Sequence, residues 1–187
     1  MLSVGQSDLS SLTLTAPSPV RDLNVYLDSI WQKHFPDIPR INEIQIAYSY
    51  PWKRRLGLIR LSLDNTTTFI GINALLQHLS VPEHVLITTV AHELVHYAHG
   101  FGSPLPRLYQ HPHANNVVNR ELEKRDLGEL LRLCDEWIDK QWLAFYQLHR
   151  NPHLHDLQGA RKRIPVPQTG CPYHATNGAE SHLHYRR

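Results

Sequence analysis

Ser80-Val81-Pro82-Glu83-His84-Val85-Leu86-Ile87-Thr88-Thr89-Val90-Ala91-His92-Glu93-Leu94-Val95-His96-Tyr97-Ala98-His99-Gly100 is the stretch on which the fold turns. Leu86, Val90, Leu94 and Tyr97 recur every three or four residues, which predicts a helix. Ser80 and Glu83 have the spacing of a capping box, Pro82 suits a first turn, and Gly100 is placed to stop the helix. Inside the helix lies His92-Glu93-Leu94-Val95-His96, an HExxH pattern. Residues four apart share a helix face, so both imidazoles can reach one metal ion at about 2.0–2.1 Å each. Glu93 lies close to that face and can serve as a base toward a metal-activated water without itself being a ligand.

The regions on either side fit an α+β chain. Upstream, Val20, Leu23, Leu27, Ile30 and Trp31 predict a helix from Val20 to His34, closed by Pro36 and Pro39. Alternation at Ile44, Ile46 and Tyr48, again over Leu58–Leu63, and a β-branched run to Ile72 predict a small, largely antiparallel sheet across 43–73. A short helix is expected over Asn73–His78. Downstream, a proline- and glycine-containing loop over 101–112 precedes a helix from Ala114 to Leu127, closed by Gly128. A longer helix follows from Glu129 to Leu148, whose aromatic stripe reads as core. Residues 1–19 read as a flexible tail, 20–149 as the folded domain, and 150–187 as a basic, histidine-rich tail.

Composition narrows the function. The 187 residues are 41% hydrophobic, enough for one domain, and the net charge of +2 does not describe a strongly basic nucleic-acid binder. With only Cys134 and Cys171, neither a disulfide framework nor a four-cysteine zinc ribbon can form. No basic-then-apolar leader and no membrane-length apolar run occur, so a cytoplasmic, membrane-free protein is expected. The 14 histidines are suggestive only through their spacing. The oligomeric state is not readable from the sequence.

A catalytic zinc site needs a third protein ligand. His99 shares the face of His92 but stands nearly two turns away, too far for the same ion. The metzincin spacing fails, because Gly102 occupies the place of its histidine. His111, His113 and Glu121 remain as candidates. Tyr97, Tyr109 and His99 are polar groups of the kind that can steady an oxyanion, although packing is the simpler role for each.

The run Ala91-His92-Glu93-Leu94-Val95-His96-Tyr97, followed after a loop by His113-Ala114-Asn115-Asn116-Val117-Val118, resembles the SprT-like zinc metallopeptidases, the family that includes Spartan. The likeness extends over residues 20 to 130 and includes a Leu56-Gly57 turn in the short sheet. Ala114 and Val117 depart from it, standing where the family has a glycine and an aromatic residue. The resemblance implies a zincin-like fold, Zn²⁺ held by His92, His96 and His113, Glu93 as the catalytic residue, and a protein or peptide substrate. It also makes association with DNA an expectation, one that the modest charge and the missing ribbon weigh against. In the tail, Cys171, His174, His182 and His184 have a spacing a second metal can use, but a solvated tail is the simpler reading. Arg161-Lys162-Arg163 is likewise most simply solvated.

Overall fold

Asp22 opens the first helix by accepting a hydrogen bond from the Asn24 amide at 2.9 Å. That helix, α1 (Leu23–His34), buries Leu23, Leu27, Ile30 and Trp31 along one face. The computed structural model describes residues 21–150. The two tails and the Cys/His and basic motifs of the C-terminal segment lie outside them.

Three strands follow: β1 (Glu43–Tyr48), β2 (Gly57–Leu61) and β3 (Thr67–Ile72). Their order in the sheet is β1-β3-β2. β2 and β3 form the expected antiparallel pair, in register from Gly57↔Ile72 to Leu61↔Thr68. Their turn is organised by Asp64, which accepts from the Thr66 amide at 3.1 Å and the Thr66 hydroxyl at 2.8 Å. β1, however, pairs parallel to β3, from Glu43↔Thr67 to Tyr48↔Ile72, so the sheet is mixed rather than largely antiparallel. The reason lies in residues 49–56, which cross to the far edge instead of turning back. β3, with Ile70 and Ile72 fully buried, takes the centre. Alternation along a strand reports which face is buried, not which strand is its neighbour.

Asn73, fully buried, then holds the crossing segment in place. Its side-chain amide donates to the carbonyls of Trp52 at 2.8 Å and Arg55 at 2.7 Å, and its backbone amide donates to Leu56. The expected short helix after it is a single 3₁₀ turn, Ala74–Gln77.

α2 (Glu83–Ala98) is the central helix: 13 of its 16 residues are buried, including every residue from Thr88 to Ala98. A helix covered on all sides is a core element rather than an amphipathic surface one. Its walls are the sheet, α1 and the later helices. The capping box does not form. Ser80 instead meets His78 Nδ1 at 2.7 Å, and Glu83 accepts from the Tyr26 hydroxyl at 2.5 Å. The stop at Gly100 does form, as a Schellman motif. Gly100 has φ +76, its amide donates to the Tyr97 carbonyl at 3.1 Å, and the Phe101 amide donates to the His96 carbonyl at 2.8 Å.

The next helix is shorter than its pattern predicts. A 3₁₀ turn, Ala114–Asn116, leads into α3 (Val117–Lys124). Asn115 and Asn116 are both left-handed, with φ 51 and 58, so the backbone kinks where the sequence suggests a continuous helix. Asp126, at φ 60, ends the segment, and Gly128 begins the following helix instead of closing this one. The final rod runs through α4 (Gly128–Trp137), a π turn (Ile138–Trp142) and α5 (Leu143–His149). The wider π turn keeps Trp137 and Trp142, five residues apart, both buried. Among the described residues, no helix is long and apolar enough to cross a membrane.

Candidate metal centre

α2 carries His92 and His96 on one face, and their Nε2 atoms stand 3.0 Å apart. Both side chains are buried, at 3% and 0% exposure. The rings meet edge to face with centroids 4.7 Å apart. His113 joins them from the loop that leaves the C-terminal end of α2. Its ring centroid lies 5.4 Å from that of His92 and 4.8 Å from that of His96. The ligand atoms of all three lie within 4.8 Å of one another, the one such cluster of three or more metal-ligating side chains among the described residues.

The donor set fits a divalent metal ion. Ligands at about 2.0–2.1 Å in tetrahedral array stand roughly 3.3 Å from each other, close to the spacing of the His92–His96 pair. A ligating imidazole must also be neutral. Burial, and secondarily the neighbouring His113, hold His92 well below the ordinary imidazole range. Its Nδ1 is buried without a hydrogen-bond partner among the described residues, while its Nε2 faces that of His96 in the cluster. Three close imidazoles without carboxylates favour transition-metal over calcium or magnesium chemistry.

The surroundings fix this geometry. Phe101, the residue just beyond the Schellman glycine, sets its ring edge to face with His96 at 6.3 Å between centroids. Thus the motif that ends the helix also packs a candidate ligand. At the opposite side, Tyr97 donates to Asn42 Oδ1 at 2.9 Å, Asn42 donates to Thr68 Oγ1 at 2.9 Å, and Thr68 donates to the Gly102 carbonyl at 2.9 Å. This partly buried chain ties α2 to β3 and to the start of the loop that delivers His113.

Glu93 is fully buried beside the pair. Its carboxylate abuts β2 at Gly57: a Cβ added there would lie 3.1 Å from both Glu93 Cγ and Cδ, and closer still to Oε1. Sequence reading did not find this neighbour. The signal was a glycine at the head of an alternating strand, a residue type that often marks a close approach. The Leu56-Gly57 dipeptide is accordingly the entry to β2 rather than a turn.

The remaining candidates fall elsewhere. His111 is exposed and outside the cluster. Glu121 is engaged by Arg125, at 2.9 Å, and by Lys124. His99 caps α2, buried against the Tyr109 ring at 4.8 Å between centroids. Tyr97 spends its hydroxyl on Asn42 and Ile41. No model of a known protein family matches the chain, and no curated protein matches it.

Proposed function

We propose that the protein is a zinc-dependent metallopeptidase of SprT-like type, hydrolysing peptide bonds in protein or peptide substrates. The observation that carries this reading is the convergence of His113 on the His92–His96 pair with Glu93 buried alongside. A zinc ion held by the three imidazoles would acidify water and polarise a substrate carbonyl. His92, its imidazole pKa lowered by burial, and the fully buried His96 would supply two of the nitrogens. His113 would close the set from a separate segment, and a zinc ion with three protein ligands would keep one position for chemistry, as catalytic zinc sites do. Glu93 takes the proton of the attacking water at its carboxylate and passes it to the leaving amine. The sequence resemblance supports the same three ligands and the same base.

Complete burial of Glu93 favours a second reading, a metal-stabilised module that binds a protein or nucleic acid without cleaving it. The two readings part at Glu93→Gln. For the peptidase, zinc stoichiometry is unchanged and turnover of an unfolded protein substrate falls by about 10²–10⁴-fold, the usual share of a general base. For the binding module, wild type and variant are equally inert.

A further inference from the structure

We propose that Gly57 is a positioning residue: the space left by its missing side chain is the seat of the Glu93 carboxylate. The proposal rests on the reading of Glu93 as the general base.

The case begins with what glycine is not doing at this position. Gly57 does not adopt the positive φ of Gly100 or Gly102, so its backbone conformation is one that alanine tolerates. The obstacle to a side chain is spatial, and the three nearest heavy atoms that a Cβ would meet all belong to Glu93. Elsewhere in the sheet, a Cβ at Gly71 would meet the ends of Leu58 and Phe69, which are ordinary packing partners.

Neither wall of the seat can easily retreat. Gly57 is paired with Ile72 in the sheet, and the segment leading into it is held by the three Asn73 hydrogen bonds. A further clamp comes from the last helical rod, where Trp142 Nε1 donates to the Lys53 carbonyl at 2.8 Å. On the other side, Glu93 sits in the fully buried half of α2, one residue from His92. In close-packed surroundings an added methyl group displaces its neighbour. Here that neighbour is the carboxylate, whose distance from the histidine cluster decides whether it can reach a water there. Asn73 and Trp142, both remote from the cluster in sequence, therefore act on the base through the backbone of residues 52–57.

The test is a double-variant cycle in the full chain, read by thermal melting, zinc content and steady-state hydrolysis of an unfolded protein. Gly57→Ala is expected to lower Tm by several degrees in the wild-type background and by almost nothing in the Glu93→Ala background. It is expected to keep wild-type zinc content and to lower kcat by about 10–100-fold with little change in KM. Glu93→Asp, which withdraws the carboxylate by one methylene, should lower kcat alone but cause no further loss when combined with Gly57→Ala. An equal Tm penalty in both backgrounds, including failure of both to fold, would overturn the contact. An unchanged kcat in Gly57→Ala would overturn the positioning role. A background-dependent Tm penalty in a protein whose wild type cleaves nothing would uphold the contact while removing both its catalytic role and the peptidase reading.

Discussion

The two halves of the candidate metal centre are built by opposite means. His92 and His96 stand on a helix whose second half is buried at every position, so packing fixes them before any ion arrives. His113 is half-buried and comes from the turn between a long loop and α3, next to two left-handed asparagines. The first half is pre-organised by the core. The second depends on local backbone geometry and one partly buried polar chain through Tyr97, Asn42 and Thr68. The contrast suggests a division of labour in which the helix sets where the ion sits and the loop decides how firmly the site closes.

The strongest way to break this comparison is to remove one ligand from each half. His96→Ala is expected to abolish zinc binding and, by emptying a fully buried site against Phe101, to cost about 2–4 kcal/mol in the apoprotein. His113→Ala should lower zinc affinity sharply while shifting apoprotein stability by no more than about 0.5 kcal/mol. Urea unfolding in the presence of a chelator, beside zinc titration, measures both. Equal stability losses would show that the two halves are not differently built.

A smaller effect sharpens the loop side. Asn116→Val places a β-branched residue at φ 58 and should cost about 1–2 kcal/mol while weakening zinc binding through misplaced His113. Asn116→Gly should leave both nearly unchanged. Zinc affinity insensitive to either variant would mean that the kink does not set the third ligand.

The smallest effect lies at the junction of the halves, where burial lowers the pKa of His99. The unfolded chain then binds a proton at His99 more readily than the folded one, so stability rises with pH through this window. The contribution is fully present above about pH 6.5, the unfolded value, and is lost as pH falls through the folded pKa. Melting between pH 7.5 and 5.5 should show a decline that is shallower in His99→Gln.

The same division governs what could be read from the sequence. The HExxH pair was legible because its geometry is local: a four-residue spacing on one helix is enough. The end of α1 at His34 and the Gly100 stop were legible for the same reason, whereas the start of α1 was expected at Val20 and lies at Leu23, behind the Asp22 cap. The capping box at Ser80 was not, because His78 and Tyr26 compete for its two side chains. The parallel pairing of β1 with β3 was hidden, since strand alternation carries no neighbour information. Among the three candidates for third ligand, residue chemistry left the choice open. Three-dimensional placement separates them: His113 joins the cluster, His111 faces solvent and Glu121 turns to Arg125. Gly57 escaped because its meaning depends on Glu93, more than thirty positions away in the chain.

The central claim is that one metal ion is held by His92, His96 and His113. Its most direct test is zinc-edge X-ray absorption on the zinc-loaded full chain, wild type beside His113→Ala, with metal content measured on the same samples. The account predicts about one zinc per chain, with nitrogen ligands near 2.0–2.1 Å and a three-imidazole signature that loses one imidazole or the ion itself in the variant. A wild-type protein that takes up no zinc, or a zinc environment dominated by sulfur and indifferent to His113→Ala, would contradict it.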